Sequence, residues 1–333
     1  MTRADNSLIG LAVGDALGMP TQSMSRAEIA RRYGPIDRLR DAIPDQPIAP
    51  GMPAGAVTDD TEQALLVAKL LIDGGGRIDA LALARALQAW EDDMRARGSL
   101  DLLGPSTKAA LDALAAGVSP DESGRHGTTN GAAMRIAPIG IAIPASEGEL
   151  LLEAVVSASR PTHNTAIALA AASVVAGVVS AGIDGASVPE ALEYGLRLGD
   201  AATGLGHWAA GASVPAKARW ALKTAKEFDD AAVGDFVMDV VGTSVSSQES
   251  VVAAIVLLRH YEGRPFEALC SASSLGGDTD TVAAIAGAML GATSDEPPAP
   301  SPVIAQVLDV SGLTVGPIAQ ALLKLRRGFT PLH

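Results

Sequence analysis

Two clusters of aspartate and threonine contain the residues of this sequence best suited to chemistry. Each cluster stands just before a helix rich in apolar residues, and together they supply six oxygen-bearing side chains: Thr58, Asp59, Asp60, Asp278, Asp280 and Thr281. A single aspartate at a helix start is often an N-cap, because it accepts a backbone N–H and complements the positive helix end. Two carboxylates so close together repel each other, and the helix after the second cluster is uncharged. A bound cation would remove that repulsion.

The ligand types narrow the choice of cation. Carboxylate and hydroxyl oxygens with no nearby Cys or His pair suit Mg²⁺, Mn²⁺ or Ca²⁺ rather than zinc. The adjacent Asp59 and Asp60 point in different directions, so they could bind two ions, or bind one and orient a water. Two ions about 3.5–4 Å apart can hold a bridging water or clamp substrate oxygens. An ordinary N-cap stays the alternative for either cluster alone, but the shared form of the two clusters favours a metal site.

A glycine-bounded turn is the third candidate for function. It consists of Gly127, Thr128, Thr129, Asn130 and Gly131. Small residues let backbone amides approach a ligand, and the Asn130 side chain offers both a donor and an acceptor. A Gly-rich turn is more often only a turn, so this segment by itself is a weak signal.

The fourth candidate is the pair His163 and Asn164, at the entrance to a long helix of small residues. A lone histidine near a helix start is usually structural, and its spacing alone does not assign it a function. In the context of the other clusters, the pair is a possible substrate contact.

The sequence around these residues predicts that helices position them. Residues 59–72 are apolar nearly all round, as in a core helix, and Pro105 and Gly117 bracket another helix in the usual orientation. Capping-box spacing occurs at three pairs: Asp59 with Glu62, Ser146 with Glu149, and Ser187 with Glu190. The alternating isoleucines of residues 136–143 could form a short strand, although Pro138 and Pro144 argue against it. We expect an all-α protein.

Domain organisation follows from the spacing of the acidic clusters. Asp59 and Asp278 are 278 − 59 = 219 positions apart, and no long linker or internal repeat lies between them. If they share one site, the chain forms a single domain over residues 1–333.

Composition and charge limit the partners. The chain has 48% hydrophobic but only 3% aromatic residues, a formal net charge of −13 and a pI of about 4.8. Such a field repels nucleic acid and anionic membranes, so neither is an expected partner. A single cysteine, Cys270, rules out an internal disulfide and fits a reducing compartment, here the cytoplasm. We expect no signal peptide, because Asp15 interrupts the apolar run near the N-terminus.

One uncharged segment of the sequence could be mistaken for a membrane span. Residues 165–183 approach the length of a membrane span, but they are mainly Ala, Val, Gly and Ser and lack aromatic or basic anchors. A central helix buried by other helices is the better interpretation.

Five motifs together resemble one known family. They are GDALGMP (14–20), VTDDTEQAL (57–65), NGAAMR (130–135), PTHN (161–164) and GGDTDTVAAIAGAMLGA (276–292). Their order is that of the ADP-ribosylglycohydrolase family, and the resemblance extends from about Leu8 to Leu325. The paired TDDT and GDTDT elements are its most specific part.

The resemblance implies a single-domain orthogonal helical bundle around two divalent cations, Mg²⁺ or Mn²⁺. The six residues of the two clusters match the metal ligands, with Asp59 and Asp60 also assisting proton transfer. The 127–131 turn matches the loop that holds ADP-ribose, and His163 with Asn164 matches a substrate-side motif. The implied reaction is hydrolysis at C1″ of the ribose, which releases ADP-ribose from an ADP-ribosylated protein.

Two departures leave the substrate open. Several family members carry a glutamate that contacts the reacting ribose, where this chain has Gln22, which cannot act as a general base. The 127–131 turn also lacks the extra glycine and aromatic residue of some protein- or polymer-processing members. A small ribosylated molecule, such as a nucleoside-like N-glycoside, is therefore an alternative substrate. Because the family also includes crystallins without evident catalysis, a non-catalytic ADP-ribose-binding or structural role is a third alternative.

Overall fold

A computed structural model describes residues 1–98 and 103–329. The first half of the chain forms nine helices among these residues: α1 (Arg3–Gly18), α2 (Arg26–Arg32), α3 (Asp59–Asp73), α4 (Ala80–Ala96), α5 (Pro105–Ala115), α6 (Pro120–Ser123), α7 (Gly131–Met134), α8 (Ala137–Ala142) and α9 (Gly148–Ser159). The second half adds α10 (Ala166–Ile183), α11 (Val188–Ala202), α12 (Val214–Thr224), α13 (Asp230–Phe236), α14 (Ser247–His260), α15 (Pro265–Ala272), α16 (Thr279–Ala292), α17 (Ser301–Val310) and α18 (Val315–Phe329). The prediction of an all-α protein is confirmed.

Two very short strands pair antiparallel, β1 (Met24–Ser25) and β2 (Gly276–Gly277), with Met24 opposite Gly277. They tie the segment after α1 to the segment that leads into α16. Short 3₁₀ turns at Met19–Thr21, Ala145–Glu147 and Ala225–Glu227 and a π-helical turn at Val237–Val241 complete the regular structure.

The closest helix pair joins the two ends of the chain. α1 packs on α16 with backbone against backbone, because small residues lie on the facing surfaces. A Cβ added to Gly14 would lie 2.1 Å from the Ala283 carbonyl oxygen, and one added to Gly18 would lie 2.4 Å from Asp280 Cα. Any side chain at either glycine would force the helices apart. This packing brings the second acidic cluster against the N-terminal helix.

The uncharged segment forms α10, a central helix. By length and composition it could cross a membrane, with a mean hydropathy of 2.2, but 89% of it is buried inside the protein. Helices α8, α9, α11 and α16 are among those that pack around it. The interpretation of this segment as a helix buried by other helices therefore agrees with the structure.

Several local predictions are corrected. Asp59 and Glu62 form no capping box, because Thr58 is the N-cap of α3 and Glu62 accepts from the Trp90 indole at 2.5 Å. Ser146 lies in a 3₁₀ turn, and α9 has no side-chain cap. By contrast, the prediction from proline against a strand at the isoleucine-rich residues is confirmed: residues 137–142 form α8, which accepts Pro138 at its start.

Other local predictions are confirmed. Ser187 and Glu190 form the expected capping box, and Pro105 opens α5 at its first position. The prediction of one domain over residues 1–333 includes residues 99–102 and 330–333, which lie outside the described residues. A continuous apolar core extends through the described chain, from Ala4 in α1 to Leu322 in α18.

Candidate active site

Asp15 of α1 fixes the start of α3. Both of its carboxylate oxygens accept from the Thr58 backbone N–H at 3.0 Å, and one accepts from the Thr61 hydroxyl at 2.5 Å. The side chain is fully buried, and burial raises the pKa of Asp15 to about 6. Sequence reasoning quoted Asp15 within a motif but assigned it no role. The available signal was a charged residue inside an otherwise apolar helix.

Asp60 joins the two acidic clusters. Its Oδ2 atom accepts from the Thr58 hydroxyl at 3.3 Å and from the Thr281 hydroxyl at 3.2 Å. Its Oδ1 atom is buried with no hydrogen-bond partner in the described part of the chain. Burial holds the pKa of Asp60 well above its usual value, and the neighbouring Asp59 and Asp280 carboxylates add to this rise. An ionised Asp60 is therefore unfavourable unless positive charge comes close to it.

A tight turn at Gly277 brings Asp278 to the same cavity. The preceding Gly277 has φ +79°, and a Cβ there would lie 2.5 Å from the Thr243 carbonyl oxygen, so this position requires glycine. The Asp278 N–H donates to that carbonyl at 2.7 Å. The Asn130 amide donates to Asp278 Oδ2 at 2.5 Å and to the Ser250 hydroxyl at 3.0 Å. Burial raises the pKa of Asp278, and the Asn130 hydrogen bond opposes this rise.

A buried arginine lies behind Asp59. The Gln63 amide donates to Asp59 Oδ2 at 2.9 Å, and Arg135 Nη1 donates to Gln63 Oε1 at 2.9 Å. Arg135 has no exposed surface, and burial lowers its pKa to about 10 while the Asp59 charge opposes this fall. Gln63 therefore connects a buried positive charge to a carboxylate of the first cluster. Sequence reasoning missed both residues, although each lies inside a quoted motif.

The same arginine reaches His163 on its other side. Arg135 Nη2 donates to the Thr162 hydroxyl at 2.6 Å, and that oxygen lies 2.8 Å from His163 Nδ1. The second ring nitrogen, Nε2, lies 2.9 Å from the Thr129 hydroxyl. Burial, aided by the charge of Arg135, holds the pKa of His163 well below its usual value, so the ring is neutral.

The Thr129 hydroxyl connects His163 with the cavity between the two acidic clusters. The Thr162 hydroxyl has two acceptors within reach, His163 Nδ1 at 2.8 Å and the Ser159 carbonyl at 3.4 Å. His163 Nε2 and the Thr129 hydroxyl can each donate to the other, according to the ring tautomer. Because Thr129 lines the cavity, this contact couples the buried ring to the cavity wall.

A cavity of about 170 Å³ lies between the two acidic clusters. Eight of the residues predicted from sequence line it: Gln22, Asp59, Thr129, Asn130, Gly131, Asp278, Asp280 and Thr281. Thr58 and Asp60 are buried directly behind this wall. Residues that sequence reasoning did not select also line it, namely Ser23, Ile48, Gly104, Pro105, Thr107, Met134 and Val245.

Four predicted substrate contacts lie outside the cavity wall. They are Gly127, Thr128, His163 and Asn164. A Cβ on Gly127 would lie 2.2 Å from the Thr162 carbonyl oxygen, so this glycine permits close packing on the histidine segment. The Asn164 amide donates to the Asp121 carbonyl at 2.7 Å and anchors a neighbouring turn. The substrate-binding role of these four residues stays a prediction.

Gln22 lies in the wall, next to a residue with an unusual backbone conformation. It is 6% exposed, and its Nε2 atom has no hydrogen-bond partner among the described residues. The Gln46 amide donates to the Gln22 carbonyl at 2.9 Å. The next residue, Ser23, has φ +61°, the sole positive value outside glycine in the described chain, and its N–H donates to the Gly277 carbonyl at 2.7 Å. Such conformations cluster at functional sites, since surrounding contacts must hold them in place.

The donor atoms of this site suit a hard divalent cation. Burial raises the pKa of Asp60, and the charges of the nearby Asp59, Asp280 and Asp278 carboxylates raise it further. The unpartnered Asp60 Oδ1 is an oxygen for which the described chain provides no donor. No three Asp, Glu, His or Cys side chains of the described residues meet as a complete ligand set. A cation bound here would therefore also use hydroxyl or solvent oxygens.

The described chain is thus an all-α protein with a small cavity lined by carboxylates. The family model of ADP-ribosylglycohydrolase matches residues 1–329, and the chain belongs to this family. This membership confirms the resemblance of the five motifs.

Similar proteins cover most of the chain. It is 33% identical to the uncharacterized protein YegU of Escherichia coli (strain K12) over 96% of each chain. It is 29% identical to ADP-ribosyl-[dinitrogen reductase] glycohydrolase of Rhodospirillum rubrum, over 59% of this chain and 63% of that protein. A solved structure titled ADP-ribosylglycohydrolase-related protein complex matches with a TM-score of 0.69 at 26% identity, over 98% of this chain and 97% of its own.

Proposed function

We propose that this protein is a divalent-metal-dependent hydrolase that cleaves the C1″ ribosyl bond of an ADP-ribosylated substrate and releases ADP-ribose. One observation carries the proposal. Carboxyl groups of two clusters more than two hundred residues apart meet at one small cavity, and behind its wall Asp60 Oδ1 is buried with no hydrogen-bond partner among the described residues. Membership in a family of glycosyl hydrolases supports the type of bond. The name of the Rhodospirillum rubrum relative supports an ADP-ribosylated protein as substrate.

The two clusters would hold Mg²⁺ or Mn²⁺ through Thr58, Asp59, Asp60, Asp278, Asp280 and Thr281. When bound, two such cations supply charge neutralisation, orientation of the ribose hydroxyls and a lowered pKa for a bound water. The metal identity and the number of ions belong to the proposal.

The residues of the cavity wall would accept the proton from water, stabilise the developing charge and bind the sugar. Asp59 faces the cavity, and the hydrogen bond from Gln63 fixes its carboxylate, so it can accept a proton from water that attacks C1″. As the bond at C1″ breaks, the anomeric carbon gains positive charge, which the nearby carboxylates of Asp278 and Asp280 stabilise. The Thr129 hydroxyl, 2.9 Å from His163 Nε2, lines the cavity and can form a hydrogen bond with an oxygen of the sugar.

Gln22 favours a second candidate reaction, the hydrolysis of a small nucleoside-like or ribosyl N-glycoside. An amide in the cavity wall cannot remove a proton, and it adds no negative charge to attract a cationic guanidinium. A leaving group with a neutral hydrogen-bonding edge would suit it better.

A substrate screen separates these reactions. Purified protein is incubated with arginine- and serine-ADP-ribosylated peptides and with nucleosides, with Mg²⁺, with Mn²⁺ or with EDTA. Release of ADP-ribose that EDTA abolishes is the expected result. Cleavage of nucleosides alone would favour the second candidate, and a Gln22→Glu variant that gains peptide activity would show that Gln22 limits the first reaction.

Metal binding is tested directly by calorimetry with Mn²⁺. Asp60→Asn and Asp278→Asn should each abolish or strongly weaken binding. Asp79→Asn is a matched control, because Asp79 is an exposed N-cap of α4 that accepts from Ala82 at 2.7 Å. Unchanged Mn²⁺ binding in the two cavity variants would show that the clusters are ordinary helix caps and that the metal proposal is wrong.

A further inference from the structure

A second cavity lies on the surface where α11, α12 and α14 meet. Its volume is about 440 Å³, larger than that of the carboxylate-lined cavity and within the range of small-molecule sites. No residue is shared between the linings of the two cavities. The mechanism proposed above does not use it.

The floor of this second cavity is apolar and buried. Leu192 and Leu196 come from one face of α11 and are each 3% exposed, and Val256 of α14 is 1% exposed. Leu222 of α12 adds a half-buried side chain. These side chains are packed from below but leave open volume above them. An apolar body placed there would lose contact with water on the face that it presents to these side chains.

The rim carries positive charge in a strongly acidic protein. The chain has a formal net charge of −13, yet α12 contains three basic residues and no acidic one. Five of the lining residues are basic, and one, Glu193, is acidic: Arg219, Lys223, Lys226, Arg259 and His260 supply the basic groups. The rim of the cavity is therefore positively charged, whereas the net charge of the whole protein is negative.

Two lysines of this rim are available to a ligand. Arg219, Arg259 and His260 are each paired with a carboxylate outside the cavity lining, at 2.5, 2.8 and 2.7 Å. Lys223 has no ion pair in the described part of the chain, and Lys226 has only a 3.8 Å contact with exposed Glu227. Lys223 lies in the last turn of α12 and Lys226 in the 3₁₀ turn that follows it, and both side chains line the cavity.

From the apolar floor and the two lysines, we infer that this cavity binds a small molecule that joins one anionic group to an apolar body, such as an aromatic sulfonate or a medium-chain carboxylate. The apolar body occupies the floor formed by Leu192, Leu196, Leu222 and Val256. The anionic group contacts Lys223 and Lys226. Charge complementarity selects an anion, and the volume selects a small molecule rather than a peptide helix.

The test uses the full-length protein and the fluorescent anion 1-anilinonaphthalene-8-sulfonate as the probe. Saturable binding with one molecule per chain is expected. A Lys223→Glu/Lys226→Glu double variant should raise the Kd at least about tenfold, because both ammonium groups become carboxylates. Leu222→Ala should raise the Kd less, and octanoate should displace the probe where acetate and 1-octanol do not.

A control variant separates the local site from net charge. Lys69→Glu/Lys324→Glu makes the same change in net charge at two exposed lysines far from the lining, and its Kd should stay within about twofold of the parent. If both double variants raised the Kd of the probe equally, the effect would come from net charge rather than from a local site, and the proposal would be wrong. Absence of saturable binding below about 1 mM would overturn it as well.

Discussion

Carboxylates behave in opposite ways in two regions of this molecule. In the candidate active site, burial raises the pKa of Asp15 to about 6 and holds that of Asp60 well above its usual value. At the end of α14, Arg264 and His260 lower the pKa of Asp230 to about 2. The first region gathers like charges away from water, whereas the second pairs opposite charges at the surface. The acidic cavity therefore costs folding stability, and it does so at the place where the chain has the chemistry for catalysis.

The largest predicted effect comes from removing the charge of Asp60. Asp60→Asn should lower the rate of ADP-ribose release on the order of 10³-fold, because it removes a carboxylate from the proposed metal site. In EDTA the same variant should be at least as stable as the parent, since it removes a repelled buried charge. Activity assays and urea denaturation with and without Mn²⁺ measure both quantities. A variant that loses stability in EDTA would show that the Asp60 charge is well compensated in the metal-free protein.

The second prediction concerns pH. The Asp15 pKa rises from 3.8 to about 6 on folding, so the folded protein holds a proton that the unfolded chain has released between these values. The resulting stability is fully present below pH 3.8 and is lost as the pH rises through 6, with a loss of up to about 3 kcal/mol. Urea denaturation in EDTA from pH 4 to 8 measures it. Asp15→Asn should flatten this dependence, and an unchanged slope would assign the dependence to other groups.

The third prediction tests the link between Arg135 and Asp59. Gln63→Met keeps the length of the side chain but removes both hydrogen bonds, to Asp59 at 2.9 Å and from Arg135 at 2.9 Å. We expect a fall in catalytic rate of about 10- to 100-fold, as for other residues that orient metal ligands. Gln88→Met, at an exposed position of α4, is the matched control. If Gln63→Met and Gln88→Met had equal catalytic rates, Gln63 would contribute to packing only and would not orient Asp59.

The smallest predicted effect lies at the surface. Asp230→Asn removes the ion pair with Arg264 at 2.9 Å and alters the contact with His260 at 2.7 Å, but the Asp230 side chain is 52% exposed. Water screens such pairs, so the loss at pH 7 should be at most about 1 kcal/mol and should shrink in high salt. The contribution of Asp230 is present above its unfolded value of 3.8 and is lost as the pH falls through about 2. Urea denaturation of both proteins at low and high salt checks this, and a loss several times larger would mean that the surface pairs are not screened.

Local rules account for the parts of the fold that the sequence predicted. Pro105 opens α5 and Ser187 with Glu190 caps α11, because such residues satisfy free backbone groups within one turn. The same rules failed at Asp59 and Glu62. There Thr58 occupies the N-cap position of α3, and the Glu62 carboxylate accepts a hydrogen bond from Trp90, which lies 28 positions away. A local pattern cannot anticipate a competitor that arrives from another helix.

The sequence by itself determined the class of helical protein, its family and the two acidic clusters, since each depends on residues within a few positions of one another. Only the tertiary structure decided that Asp15 holds the start of α3 and that Arg135 connects Asp59 with His163 through Gln63 and Thr162. It also placed His163 behind Thr129 rather than in the cavity wall. The packing of α1 on α16 is a further arrangement of this kind, where Gly14 and Gly18 let two distant segments approach at backbone distance. Contacts of that range depend on the whole packed core, and no spacing within one segment encodes them.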